Sequence, residues 1–339
     1  MSEKKELRVI QYGCGKMGKY FLRYLYEKGA KIVGAIDSNP DLIGKDISEL
    51  IGCSEKLGVS IENDAEKVFR ENKADVAIIA IASLMKDMES YFELSARYGV
   101  NAISTCEEAF YPLNTAKEIT EKLDALAKEK NCTLTGSGYQ DVFWGNLIDV
   151  LAGATHKILK IEGVTSYNVE DYGIALAQVH GVGLSLDMFD KEITKNDSLP
   201  SYVWNSSEWL CDRLGLTIVS IDQKLVPTTY SEDIYSKTLE KNISTGYATG
   251  MTAVVTVKTQ EGTEIEVKCV GKVYAPGEVD CNDWSILGEP NTSIIIHQPS
   301  TVELTCATIV NRLPELLKAP SGFVPTSRLN SARYQVSLQ

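Results

Sequence analysis

Over residues 7–135 apolar runs alternate with charge-laced runs of helical spacing, and that rhythm predicts strands separated by helices. The apolar runs at 7–12 and 31–37 flank a helix-compatible segment, 19–28. A short strand follows at 59–61 and a helix at 65–71. Asp75-Val-Ala-Ile-Ile-Ala-Ile-Ala82 is apolar after its first residue, as in a strand buried on both faces of a parallel sheet. A helix over 85–98 is broken by Gly99, a strand occupies 101–105, 116–130 reads as an amphipathic surface helix, and 133–135 closes the series. Such a βαβ succession predicts an α/β fold with a doubly wound parallel sheet, its ligand crevice at the carboxyl ends of the strands.

From about residue 155 the period changes to two. Residues 157–167, 252–258 and 264–272 alternate, the last two joined by a turn at Gln260-Glu-Gly262, and predict antiparallel strands of a second sheet. The segment 187–216, with Trp204 and Trp209, predicts helices beside that sheet. A last apolar helix over 302–317 meets a stop signal at Ala319-Pro-Ser-Gly322. The expected division is a nucleotide-binding domain over 1–150, an α+β domain on a mostly antiparallel sheet over 151–301, and a C-terminal segment, 302–339, packing back on the first.

Chemistry enters at the first strand–helix junction. Gly13-Cys-Gly-Lys-Met-Gly18 places Gly13, Gly15 and Gly18 in the G-x-G-x-x-G pattern between an apolar run and a helical one. Gly13 makes the tight turn, Gly15 lets backbone N–H groups approach a pyrophosphate, and Gly18 allows helix and strand to pack closely. With Cys14, Lys16 and Met17 they form a phosphate loop against the positive end of a helix dipole. Asp37 closes the second apolar run about 20 residues on, where a carboxylate accepts hydrogen bonds from an adenosine ribose. Glycines, flanking elements and acid together set aside an ordinary strand-to-helix turn and indicate a Rossmann domain. Ser38 beside Asp37, and Ala82 and Ser83 after the third long apolar run, complete the expected cofactor contacts. The carboxylate favours NAD over NADP; Lys45 and Arg70 are the cations that could reach a 2′-phosphate from outside the motif.

Composition narrows the partners. With 44% hydrophobic and 24% charged residues the chain is an ordinary globular one, and its net charge of -12 leaves no basic surplus for nucleic acid. No apolar run reaches membrane-spanning length, and the first residues lack the pattern of a signal peptide, so a cytoplasmic protein is expected. The eight cysteines show neither a C-x-x-C pair nor a zinc-type grouping with the three histidines; no metal is expected, and Cys14 and Cys106 read as small buried fillers.

The chain resembles, over nearly its whole length, the group of 2,4-diaminopentanoate dehydrogenases and native amine dehydrogenases, relatives of dihydrodipicolinate reductase in fold. Besides the glycine loop, the likeness rests on Val33-Gly-Ala-Ile-Asp-Ser-Asn-Pro-Asp-Leu-Ile-Gly44, Ser104-Thr-Cys-Glu-Glu108, Gly136-Ser-Gly-Tyr-Gln-Asp-Val-Phe-Trp144 and Ala319-Pro-Ser-Gly322. Diaminopentanoate enzymes usually carry Asn-Pro-Gly-Phe where this chain has Gln140-Asp-Val-Phe-Trp144, so the likeness to amine dehydrogenases is the stronger. It implies NAD(P)-dependent oxidative deamination of an amine to a ketone and ammonia, or the reverse, in a homodimer formed through the second domain. Glu107, the first of the acidic pair, matches the family's catalytic glutamate. A carboxylate there, at the end of the strand 101–105, can hold an ammonium or iminium ion and relay protons. Glu108 is the alternative, or a carboxylate favouring a helix dipole.

Tyr139, Phe143 and Trp144 have helical spacing and could be core, but they follow the last strand of the first domain, where loops face the crevice and aromatic walls suit a cation or alkyl chain. Gln140, Tyr172 and His180 are the other expected pocket residues, His180 as lining only. Competing readings are a diaminopentanoate dehydrogenase acting on an amino acid and a non-catalytic dinucleotide sensor. Dihydrodipicolinate reductase itself is excluded by the absence of its His-His pair and lysine. A sugar oxidoreductase is excluded because Glu107-Glu-Ala109 stands where Glu-Lys-Pro belongs.

Overall fold

A computed structural model describes residues 6–339, which divide into two compact units. One runs to Asn146 and resumes over Ser300–Gln339; the other is Leu147–Pro299. The boundary falls before the helix Leu147–Ala152 rather than at 150, because that helix packs with Tyr202–Leu214 of the second unit.

The first unit is built on strands β1 (Arg8–Tyr12), β2 (Lys31–Ile36), β3 (Ile61–Glu62), β4 (Val76–Ile79), β5 (Asn101–Ser104) and β6 (Thr133–Gly136), with a further strand, Gly322–Phe323. All pair in parallel, in the order Gly322–Phe323, β6, β5, β4, β1, β2, β3. The chain winds one way from β1 through β2 to β3 and the other way from β4 on, so the crevice opens beyond the carboxyl ends of β1 and β4. Phe21, Leu22 and Leu25 of the helix Lys16–Glu27 share one core with Ile309, Val310 and Leu313 of Thr301–Leu316. Met88 and Phe92 of Met85–Arg97 and Leu123 and Ala127 of Lys117–Lys130 fill another.

Three local expectations shift. The first helix begins at Lys16, directly after the loop, so Gly18 lies inside it, where a Cβ would come within 2.2 Å of the Gly13 carbonyl oxygen. The strand expected at 59–61 becomes Ile61–Glu62, while Ser60 bridges Asp46. Beyond the stop signal the chain extends the sheet: Gly322 N–H donates to the Cys132 carbonyl at 3.0 Å and Val324 N–H to that of Leu134 at 2.9 Å. Two-residue strands leave no periodicity to read.

In the second unit a six-stranded sheet runs in the order β14 (Thr292–His297), β13 (Cys281–Glu289), β7 (Lys157–Asn168), β12 (Glu264–Lys272), β11 (Gly250–Thr259), β8 (Ile218–Thr228), with a separate pair, β9 (Ile234–Ser236) and β10 (Lys241–Ile243). β7 and β12 pair in parallel and the other neighbours antiparallel, so the sheet is mostly antiparallel, as expected, with one parallel pair that the alternation did not reveal. Alternation fixes which face a residue takes, not the direction of its partner. Val255, Val257, Ile265, Val267 and Trp284 turn to the buried face, and Trp209 of Tyr202–Leu214 is wholly buried. The other face carries Lys160 among Glu162, Glu264 and Glu266, with Val164 and Ile295 exposed. Among the described residues no helix is long and apolar enough to cross a membrane.

Candidate active site

The glycine loop is held from both sides. Gly13 has φ of +90°, and a Cβ there would stand 2.3 Å from the Ala80 carbonyl oxygen, so the loop rests against the turn after β4. Its N–H donates to the Ile36 carbonyl at 2.8 Å. At Gly15, by contrast, a Cβ would meet no atom within 4 Å; nothing in the protein itself requires glycine there. Gly15 is also the N-cap of Lys16–Glu27 and offers no capping side chain. An open backbone at an uncapped helix N-terminus fits the pyrophosphate of a dinucleotide.

Asp37 has a second task that its place in the motif does not reveal. Its Oδ2 accepts the Cys14 N–H at 2.6 Å and its Oδ1 the Asn39 N–H at 2.8 Å, so the carboxylate ties the loop to the end of β2. The Cys14 thiol, buried and pushed up to about 12 by burial and then by Asp37, stays protonated against the Ile36 carbonyl. Outside the loop a cleft of about 560 Å³ is lined by Gly15, Lys16, Lys19 and Arg23 on one side and Asn39 and Leu42 on the other. Lys45 and Arg70 do not line it; Arg70 lies 3.4 Å from Glu71.

The acidic pair separates into two roles at the end of β5. Thr105 N–H continues the β4 ladder at 3.2 Å from the Ile79 carbonyl, and Ser104 Oγ donates to the same carbonyl while accepting from the Cys106 N–H. Glu107 follows this anchored turn. Burial raises its carboxyl above the ordinary range, and a hydrogen bond with the Ser83 side chain pulls the other way. Glu108 instead turns its Oε2 onto the Met85 N–H at 2.7 Å and its own N–H onto the Ser83 carbonyl at 3.1 Å. It caps the helix Met85–Arg97, whose own N-cap, Leu84, supplies no side-chain bond. Ser83 is thus tied to both glutamates. Ala82 lies next to it, half-buried in the same turn.

After β6 the chain enters the aromatic block close to that turn, since a Cβ on Gly136 would lie 2.3 Å from the Ala109 carbonyl carbon. Tyr139 stacks on Phe143 with ring centroids 4.6 Å apart, and Trp144 meets Tyr139 edge-on at 6.2 Å. Tyr139 and Gln140 are buried; Phe143 and Trp144 are half-buried, and the buried Trp144 Nε1 has no acceptor. Phe143 and Trp144 sit on one π-helical turn, Asp141–Asn146. Under it lies a pair absent from the sequence reading: Asp141 and Arg312, each fully buried, joined by Nε–Oδ2 at 2.9 Å and Nη2–Oδ1 at 2.7 Å. Nothing local announces a partner 171 residues away.

Tyr172 and His180 belong to the second unit. His180 donates from Nδ1 to the Leu176 carbonyl at 2.8 Å, which leaves Nε2 to accept from the Tyr167 hydroxyl at 2.6 Å. Burial lowers its pKa, so the ring is neutral. A Cβ at Gly271 would come within 2.6 Å of that ring. With both nitrogens engaged, His180 is an interior residue rather than open lining. Tyr172, 52% exposed, touches Tyr167 edge-on at 5.6 Å.

Residues 143–334 match the family model of the 2,4-diaminopentanoate dehydrogenase C-terminal domain, and residues 7–108 that of the dihydrodipicolinate reductase N-terminus. The 2,4-diaminopentanoate dehydrogenase of Acetoanaerobium sticklandii is 24% identical, over 94% of this chain and 92% of its own. An amine dehydrogenase of Streptomyces virginiae is 25% identical over 66% and 64%. The structure of the amine dehydrogenase from Mycobacterium smegmatis superposes with a TM-score of 0.87 at 36% identity, covering 99% of this chain and 100% of that one.

Proposed function

The chain belongs to the family of 2,4-diaminopentanoate and amine dehydrogenases and is an oxidoreductase acting on amine groups; from that premise we propose that it interconverts an amine with a ketone and ammonia, with Glu107 as the acid/base. The observation that carries this reading is a carboxylate at the end of β5 with its pKa raised by burial, beside the turn on which the glycine loop rests. A bound nicotinamide cofactor supplies the hydride chemistry. Ionised Glu107 takes a proton from the substrate ammonium, frees the nitrogen lone pair, passes that proton to solvent and, a carboxylate again, holds the iminium left after hydride transfer. It then takes a proton from the water adding to the iminium carbon, returns it to the nitrogen, and accepts the hydroxyl proton as the C–N bond breaks and ammonia leaves. Ser83 orients the carboxyl. Glu108, spent on capping, takes no part. Tyr139, Gln140, Phe143 and Trp144 bound the alkyl portion of the substrate.

Gly13–Gly18 bind the pyrophosphate and Asp37 the adenosine ribose, which favours NAD. The basic cleft supports a second acceptance: Lys16, Lys19 and Arg23 line it together with Asn39 and could neutralise a 2′-phosphate, so NADP is used less well rather than refused. The uncovered face of the second sheet, with Val164 and Ile295 beside the Lys160 ion cluster, supports a homodimer formed there, in a cytoplasmic enzyme. The deciding assay follows NADH oxidation with ammonia and a series of ketones, alongside NAD reduction by the matching amines and by 2,4-diaminopentanoate. Ammonia-dependent NADH oxidation by simple ketones is expected. Turnover confined to diaminopentanoate would replace the reading with an amino-acid enzyme, and cofactor binding without turnover on any of these would leave only a sensor.

A further inference from the structure

We propose that the buried Asp141–Arg312 pair is a positioning device for substrate selection, setting the place of the aromatic block from beneath. The proposal rests on the reading that this block bounds the substrate. The Asp141 carboxylate receives four hydrogen bonds: Oδ2 from Ser137 Oγ at 2.6 Å and Arg312 Nε at 2.9 Å, Oδ1 from Arg312 Nη2 at 2.7 Å and Asn146 Nδ2 at 2.8 Å. Asn146 Nδ2 also reaches the Asp141 carbonyl at 2.6 Å, so the two ends of the π-helical turn are tied to each other and to the carboxylate. Arg312 in turn donates from Nη1 to the Asn330 carbonyl.

Such an arrangement has one geometry. A planar fork on a carboxylate fixes orientation as well as distance, and with every lone-pair direction taken the aspartate cannot rotate. The turn fixed in this way carries Phe143 and Trp144, and Tyr139 is fastened to the same final helix by its N–H on Thr305 Oγ1 at 3.1 Å. Thr305 and Arg312 stand two turns apart on one helix, so the block is pinned at two points to a single rigid element. Apolar side chains of equal volume would hold the fold as well as a buried ion pair does. What they lack is a defined direction. The pair therefore acts through the rings it places, and its loss alters which alkyl groups fit before it alters cofactor binding.

The test uses the full chain and a ketone series, acetone to 2-hexanone, with ammonia and NADH. Ser137→Ala removes one of the four bonds and leaves three; Asp141→Asn removes the charge at constant size. Both are expected to keep NADH affinity within about twofold, to raise ketone KM more than they lower kcat, and to shift the 2-hexanone to acetone ratio of kcat/KM by about tenfold. Should Asp141→Asn fail to fold, Ser137→Ala decides alone. A folded Ser137→Ala enzyme with the wild-type ratio overturns the proposal, as does a fall in NADH affinity proportional to that for ketone, which would mean general loosening of the unit. Trp144→Ala separates the two readings. If it leaves the ratio unchanged, the block is not the substrate wall and that part of the functional reading fails; if it shifts the ratio while Ser137→Ala does not, only the positioning role fails.

Discussion

The parallel sheet of the first unit and the mixed sheet of the second bury their strands in different ways. β4 and β6 are buried at every residue, whereas β11 and β12 alternate between buried and half-buried positions. Helices cover both faces of the first sheet, so most of the side chains within its strands are buried. The chemistry moves to the carboxyl edge: the glycine loop, Ser83, Glu107 and the aromatic block each begin within a few residues of a strand end. One face of the second sheet is uncovered, and what it offers is area: an ion cluster around Lys160 and exposed Val164 and Ile295. Where both faces are covered only the edge is left for the proposed chemistry; where one is free the face is left for the proposed association.

Glu107→Gln strikes the edge and carries the largest expected effect, a fall in turnover of about 10²–10⁴-fold with NADH binding intact. The sign of its stability effect is opposite to that of its activity effect. Because burial raises the folded pKa of Glu107, its favourable contribution is present below the unfolded value of about 4.3 and is lost as pH rises through the folded value. At neutral pH the charge is a burden, so the Gln variant should melt no lower than wild type. The acid limb of kcat/KM should lie above the ordinary carboxylate range and disappear in the variant. Turnover within tenfold of wild type would remove Glu107 from the mechanism.

Ile78→Ala in β4 and Ile295→Ala in β14 test the two sheets directly. The first empties a fully buried site and should cost about 2–5 kcal/mol in urea denaturation. The second, at a residue 74% exposed, should cost about 0.5 kcal/mol or less at low protein concentration, and more as dimer forms. Equal costs at all concentrations would mean that the free face is not an interface.

Asp37→Ser with Ser38→Arg should move the NADP to NAD ratio of kcat/KM by about 10–100-fold toward NADP, by adding a charge-assisted partner for phosphate. Both absolute values should also fall, because the Cys14 N–H loses its acceptor. A wild type already favouring NADP would overturn the weight placed on Asp37. Smallest is Glu108→Gln: about 1 kcal/mol of stability through the weakened cap on Met85–Arg97, with turnover within a fewfold of wild type. A collapse of turnover there would reverse the two glutamates.

What could be read in the chain was what its physics keeps local. The glycine spacing, the acid after the second strand and the apolar run of β4 all state their meaning within a few residues. Glu108 did not, because its capping partner Met85 lies 23 residues earlier. Nor did the Asp37 bond to Cys14, formed only when two strand ends meet. The parallel pairing of β7 with β12 was hidden because side-chain period carries no direction. Gly322–Phe323 was too short to show one. His180 was expected to line the pocket, and what takes its ring to the interior instead is Gly271, 91 positions away.

The first unit is discontinuous, and that orders events during synthesis. Its outermost strand, Gly322–Phe323, and the guanidinium that neutralises Asp141 are made only after the entire second unit has been translated. Until then β6 is an open sheet edge and Asp141 a carboxylate with no cation beneath the aromatic turn. A nascent chain stalled near residue 299 should therefore present a nucleotide-binding unit that cannot close, a client for chaperones rather than an early folded domain. The enzyme's first half is completed last.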